Sequence, residues 1–315
     1  MTVSADRDRT DAAAAAIRYH YDVGNEFYSL WLDSSLTYSC AMPDSAGDTL
    51  EAAQDRKLRF HLDAIGADRA DSVLDIGCGW GSLLGRLAQA HRVRRSVGLT
   101  LSLEQAALVR AREYPGVEVR TENWMDYEPG ARFDGIVSIG AFEHFARPDE
   151  PSAEKVRVYR EFFERCRGWL NPGGALSLQT IAYANMSGDD ASQFMKKEIF
   201  PDAELPTLAE VTAAAERIFE IRLVRNDRLD YAWTCEQWAR RLRDHRETAE
   251  RVAGADTVAR YERYLRLSAL GFRMGKICLL RLVMRPCVTG YFGDGYFGGR
   301  HFGDGYFGDR PAVAR

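Results

Sequence analysis

The stretch Val73-Leu74-Asp75-Ile76-Gly77-Cys78-Gly79-Trp80-Gly81 constrains the fold of this chain more than any other. Its apolar start, after the charged Asp68-Arg69-Ala70-Asp71, reads as a short buried strand. Three glycines at alternate positions follow, and Ser82 to Ala88 then carries helical spacing. Strand, glycine turn and helix make a cradle for a small ligand, because glycine adopts positive φ and lets a ligand reach the backbone. The helix N-terminus behind the turn offers unpaired N–H groups to polar ligand atoms. A dinucleotide site would need G-x-G-x-x-G/A and an acid about twenty residues on. The spacing here is G-x-G-x-G, and Gly98-Leu99-Thr100-Leu101-Ser102 brings no acid, so the turn fits NAD poorly.

The turn sits in an alternating pattern. A helix from Thr49 toward Ile65, capped at Asp48 or Thr49, precedes it. Strands are expected at Arg94–Thr100, Val117–Arg120, Phe133–Ile139 and Ala175–Ile181, with helices at Leu103–Glu113 and Ala153–Trp169 between them. Such alternation means an α/β fold with a mostly parallel, Rossmann-like sheet. At 46% hydrophobic and 28% charged residues, the chain can bury a full core. A net charge of −4 brings no global basic field for nucleic acid. The apolar run Ile277–Met284 is broken by Arg281 and is far too short to span a membrane, and Ala12–Ile17 is too short for a signal-peptide core. The cysteines at 40, 78, 166, 235, 278 and 287 show no C-x-x-C pair and no metal-ligand spacing. No metal site is expected, and the thiols suit a reducing cytoplasm.

Three regions lie outside this rhythm. Residues 1–16 read as a flexible start, and residues 19–31 then bring five aromatics, which suggests a helical cap over the ligand site. Residues 186–245 show no βαβ rhythm and carry Phe194, Phe200, Phe219, Tyr231, Trp233 and Trp238. They read either as a small helical subdomain or as a lid over an apolar acceptor. In residues 289–315, the stretch 291–300 recurs as 301–310, rich in glycine and aromatics. Two copies are too few for a solenoid, so a disordered tail is expected, with aromatic side chains able to touch a partner or a membrane surface.

Asp75-Ile76-Gly77-Cys78-Gly79-Trp80-Gly81 resembles the first motif of class I methyltransferases, which bind S-adenosylmethionine (SAM). Other stretches extend the likeness: His20-Tyr21-Asp22, Tyr38-Ser39-Cys40, Gly98 to Ser102 with Gln105, and Ser138-Ile139-Gly140-Ala141-Phe142-Glu143-His144-Phe145. Glu198-Ile199-Phe200-Pro201, Asp230-Tyr231 through Trp238 and Arg263-Tyr264-Leu265 agree as well. Over about residues 17 to 285 the chain resembles the cyclopropane-fatty-acid and mycolic acid cyclopropane synthases, so residues 17–288 are expected to form one methyltransferase domain. That resemblance implies a SAM-dependent carbon methyltransferase acting on a double bond of an unsaturated apolar acceptor. It maps SAM contacts to Tyr38, Ser39, Asp75, Gly77, Gly79, Gly81, Thr100, Leu101, Gln105, Trp124 and Ile139. It maps a bicarbonate-holding catalytic group to Cys40, Glu143, Gln179, Ile181 and Tyr231, and Tyr21 is counted with them as catalytic. Gln179 stands where the best-known members have histidine. An amide can donate to an anion but cannot carry a proton, and Glu143 itself can serve as base. Cys40 is not expected to be a covalent nucleophile, because no His/Asp partner is placed for it. A C- or N-methyltransferase tailoring a small natural product stays open as an alternative, and a non-catalytic SAM-binding regulator as a remote one.

Overall fold

The computed structural model describes residues 23–45, 47–91, 93–147, 150–186 and 204–287. Seven strands form one sheet: β1 (Ser72–Ile76), β2 (Arg95–Thr100), β3 (Val117–Thr121), β4 (Phe133–Ile139), β5 (Leu170–Tyr183), β6 (Phe219–Asn226) and β7 (Ile277–Pro286), in the order β3-β2-β1-β4-β5-β7-β6. Neighbours from β3 to β5 pair in parallel, whereas β7 runs antiparallel to both β5 and β6. The helices are α1 (Asn25–Ser29), α2 (Leu50–Ile65), α3 (Ser82–Arg86), α4 (Leu103–Ala111), α5 (Ser152–Trp169), α6 (Leu208–Ala215), α7 (Arg228–Asp244), α8 (Arg246–Ala253) and α9 (Ala255–Arg273).

Every β1 residue is buried, as a central strand covered on both faces must be. Successive side chains alternate between those faces. Val73 and Val137 pack under Leu58, Leu62 and Ile65 of α2, while Leu74 and Ile136 join Val158, Tyr159, Phe162 and Phe163 of α5. Thr49 caps α2, its side chain accepting from the Ala52 N–H, and Gly66 closes the helix at φ +69°. A third core is largely aromatic. It joins Phe27, Tyr28 and Trp31 near α1 to Trp238 of α7 and to Tyr261, Tyr264 and Phe272 of α9. The Tyr28 and Tyr261 hydroxyls meet at 2.7 Å.

Two elements differ from the expectation. Residues 204–245 are not all cover, because Phe219-Glu220-Ile221-Arg222-Leu223 alternates inward and outward and makes β6, the sheet edge. The run Ile277–Met284 is the penultimate strand β7, which carries Arg281 inside the core. His20-Tyr21-Asp22, Phe194, the stretch 198–201 and the repeats of the tail lie outside the described residues.

Candidate active site

The three glycines of the turn do different work. All have positive φ, at +83°, +53° and +78° for Gly77, Gly79 and Gly81. A Cβ on Gly77 would lie 2.5 Å from the Cβ of Ala141, and one on Gly81 would lie 2.7 Å from Cγ2 of Val109. Those two permit close packing. A Cβ on Gly79 would meet nothing within 4 Å, so this glycine bares its backbone to open space. The Gly77 and Cys78 N–H groups both donate to the Leu99 carbonyl at 2.9 Å, which pins the turn to β2.

The open space is a cleft at the carboxyl ends of the parallel strands, where α/β folds bind ligands. Gly77 and Gly79 form one wall, and Thr100, Leu101 and Gln105 the next. Thr100 Oγ1 donates to Gln105 Oε1 at 2.8 Å, which leaves the Gln105 amide hydrogens as what it offers. Ser102 caps α4, its Oγ accepting from the Gln105 N–H at 3.2 Å. Trp124 lines a further wall, its ring 5.1 Å from that of Phe145. Glu122 also lines the cleft, and its N–H donates to the Thr100 carbonyl at 3.1 Å. The acid missing after β2 therefore arrives from the end of the adjacent strand. Sequence reasoning missed Glu122 because it searched at one fixed separation from the glycines. A bare backbone, an amide donor, a carboxylate and an indole face fit a nucleoside with a polar tail, and SAM is one.

Not every expected cofactor residue lines this cleft. Asp75 is buried within β1, and burial pushes its pKa up to about 7 against the pull of the Lys57 charge. Ser39 Oγ accepts from Lys57 Nζ at 3.0 Å, and its carbonyl accepts from Gln54 Nε2 at 2.9 Å. Tyr38 sits in the aromatic core, donating to the Tyr264 hydroxyl at 3.2 Å. Ile139 ends β4 opposite Gln179.

Glu143 lies in the turn beyond β4, between the cleft residues Ala141 and His144. Its Oε1 accepts from the Ile181 N–H at 2.6 Å, while the buried Oε2 has no hydrogen-bond partner among the described residues. Burial pushes its pKa up to about 7, with the Ile181 and Thr180 hydrogen bonds pulling the other way. Such a carboxyl group is poised to exchange a proton near neutrality. Two residues back along β5, Gln179 Oε1 accepts from Arg281 Nε at 2.9 Å and pairs with His61 Nε2 at 3.3 Å. The oxygen accepts, so His61 carries its proton on Nε2, and its Nδ1 accepts from Ser177 Oγ at 2.8 Å. Burial, and then the Arg281 and Lys57 charges, hold His61 well below the usual histidine range, so it is neutral. Cys40 is fully buried and burial pushes its pKa up to about 12, which keeps it a thiol rather than a nucleophile. Tyr231 stacks on Phe272 at 4.5 Å. Burial raises its pKa first, and the charges of groups that include Cys40 and Glu143 add to this. The structure thus brings Cys40, Glu143, Gln179, Ile181 and Tyr231 into one region. Tyr21 lies outside the described residues.

Lys57, His61 and Arg281 are all buried, and sequence reasoning assigned none of them to the site. A signal was present for each. Arg281 interrupts an apolar strand, and Lys57 and His61 recur with Ala53 and Ala64 on the buried face of α2. All six cysteines are free, and among the described residues no helix is long and apolar enough to cross a membrane.

A family model for mycolic acid cyclopropane synthetase matches residues 8–282. The "Probable fatty acid methyltransferase" of Pseudomonas putida is 33% identical over 294 residues, covering 90% of this chain and 72% of the relative. Cyclopropane mycolic acid synthase 2 of Mycobacterium bovis is 35% identical over 269 residues, covering 80% and 87%. The structure of the cyclopropane synthase MmaA2 from Mycobacterium tuberculosis superposes with a TM-score of 0.77 at 31% identity, covering 86% of this chain and 97% of that one. Mycolic acid cyclopropane synthase CmaA1, complexed with SAH and CTAB, gives 0.77 at 30% identity with the same coverage.

Proposed function

Because the chain belongs to the mycolic acid cyclopropane synthetase family, we propose that it methylates a carbon–carbon double bond of an unsaturated, largely apolar acceptor, most simply a fatty-acyl chain. It is a SAM-dependent methyltransferase. When bound, SAM supplies an electrophilic methyl group. In our reading Gly79 presents its backbone to the donor, Gln105 and Glu122 take the ribose hydroxyls, and Trp124 packs on the base. Positioning of donor and acceptor then supplies most of the rate. Methyl addition to an alkene leaves a carbocation on the acceptor. We assign the ring of Tyr231, near Glu143, to stabilising such a cation through its quadrupole. An apolar surround, to which we assign α7, α9 and the 204–245 stretch, keeps water from trapping it.

Loss of a proton from the new methyl group closes a ring, and loss from a neighbouring carbon leaves a methyl branch. Glu143 receives that proton, or holds a small anion that does. The observation carrying this role is its buried Oε2, which has no partner among the described residues although its sister oxygen is firmly bonded. In the second form the anion is bicarbonate, held by the Gln179 amide, the Tyr231 hydroxyl and the backbone N–H of Cys40, with the Ile181 N–H shared between it and Glu143 Oε1. The test is to incubate purified protein with methyl-labelled SAM, unsaturated phospholipid and a cell extract freed of protein. Label in the acyl chains supports the reading. Label confined to water-soluble amines or other small molecules overturns it in favour of a tailoring enzyme.

A further inference from the structure

Arg281 is fully buried in β7, and its guanidinium is spent within the protein. Nε donates to Gln179 Oε1 at 2.9 Å, Nη1 bonds Asp227 Oδ2, and Nη2 reaches the carbonyls of Cys40 and Ala41 at 3.2 and 3.1 Å. The side chain therefore joins three segments: β5 through Gln179, the 38–41 loop through Cys40 and Ala41, and the start of α7 through Asp227. The third tie bears on Tyr231, whose N–H donates to the Asp227 carbonyl at 3.2 Å. The Ala41 N–H donates to Thr234 Oγ1 at 3.1 Å and repeats the link from loop to α7. A buried guanidinium is weak evidence for stability, since a well-packed apolar side chain often serves as well. Its neighbours Leu280 and Leu282 are such residues. Something other than packing favours arginine here.

The orientation of Gln179 supplies a reason. A glutamine can present either end of its amide, but here two donors, Arg281 and His61, claim the carbonyl. The amide hydrogens are what remains for the pocket. Glu143 is bonded to Ile181, two residues along the same strand, and keeps one buried oxygen without a partner among the described residues. An N–H turned to that oxygen, or to an anion beside it, is attractive, whereas a carbonyl turned to it would repel. A cation on the carbonyl also strengthens the N–H at the other end, because linked hydrogen bonds polarise one another.

We infer that Arg281 is a positioning residue that fixes the polarity of Gln179, turning its amide hydrogens toward the Glu143 pocket while holding Cys40 and Tyr231 in place around it. This rests on the acid–base role proposed for Glu143. The arrangement lets an amide serve at this position, with the fixed charge placed behind it.

The test substitutes Arg281→Met, which removes all three ties but leaves Asp227 paired with Arg225 at 3.1 Å. Six glutamines make the side-chain amide spectrum of ¹⁵N-glutamine-labelled, SAH-loaded protein tractable. The Gln179 pair of signals is identified by its loss in Gln179→Leu. The expected result is that Glu143→Gln moves these signals when Arg281 is present and leaves them unmoved in the Arg281→Met background. Turnover of an acyl acceptor should fall at least tenfold in Arg281→Met, with acceptor KM and SAH affinity within about threefold. If the methionine variant does not fold, Arg281→Lys must show the same uncoupling, since one ammonium cannot replace the planar fork. Signals that ignore Glu143→Gln, or respond to it equally with and without Arg281, overturn the inference. Intact coupling without any acyl methylation would instead overturn the acceptor reading and leave the positioning role standing.

Discussion

Glu143→Gln should raise stability and abolish most turnover, and the two effects should separate with pH. The carboxyl group titrates at about 7 in the folded chain against an ordinary value of 4.5. The folded state thus holds the proton more tightly than the unfolded one. Below the unfolded value both states are protonated and there is no penalty. As pH rises from there toward the folded value, the unfolded state ionises first and stability falls. Above the folded value the full cost is present, about 3 kcal/mol at 1.36 kcal/mol per pKa unit. A glutamine keeps an oxygen for the Ile181 N–H and carries no charge, so it removes that cost. Urea denaturation at pH 8 should show Glu143→Gln more stable by roughly 3 kcal/mol, and at about pH 3.5, below the unfolded value, the gain should nearly vanish. Asp75 titrates in the same range but is common to both proteins and cancels in the difference. Turnover should fall by about 10²–10⁴-fold, the usual cost of losing a general base, while SAH affinity stays within a few-fold. An equal gain at both pH values, or none at pH 8, would refute the claim that Oε2 is buried without a partner among the described residues. Unchanged turnover would remove Glu143 from the mechanism.

Gly79→Val should weaken SAH binding by at least about tenfold in calorimetry, because its Cβ enters the open space that the donor needs. Gly77→Ala should cost about 1–3 kcal/mol of stability in urea denaturation, since its Cβ meets that of Ala141 at 2.5 Å and neither can swing aside. Glu122→Gln should raise the SAH dissociation constant about tenfold, the lower end for a charge-assisted hydrogen bond at a partly exposed site. An unchanged constant would remove Glu122 from the ribose site. Iodoacetamide at pH 8 should label the half-exposed Cys287 before Cys40, as read by mass spectrometry, because Cys40 is buried with its pKa near 12.

The parallel half of the sheet was legible because its central strands are largely buried and read as short, mostly apolar runs between turn signals. Phe133–Ile139 was placed to the residue for that reason. The antiparallel edge was not. In β6 only alternate residues face inward, and arginines stand at 222 and 225, so the stretch looks like surface. In β7 the run Ile277–Met284 was weighed only as a membrane span, and its single arginine was read as an interruption. The order β5-β7-β6 depends on a strand from the end of the chain inserting between two earlier ones, and local pattern carries no record of that.

The same distinction separates the two halves of the site. The donor cleft is built from backbone, namely a glycine turn, strand ends and a capped helix, and such features leave local spacing in the sequence. The side we assign to the acceptor is built from charges that only tertiary packing brings together. Lys57 lies on α2, Arg281 on β7 and Asp227 ahead of α7, yet Lys57 reaches Ser39 while Arg281 reaches Cys40, the next residue. One short loop, from Tyr38 to Ala41, is therefore fastened by two buried cations from distant parts of the chain. Each alone resembles an error in an apolar pattern. Together they hold the loop against α2 and β7, beside the pocket proposed for the base, where in our reading a shift of an ångström would misalign methyl and acceptor. Polar residues at core-phase positions of helices and strands were the legible trace of this centre. They were passed over because each was judged against its own element rather than against the others.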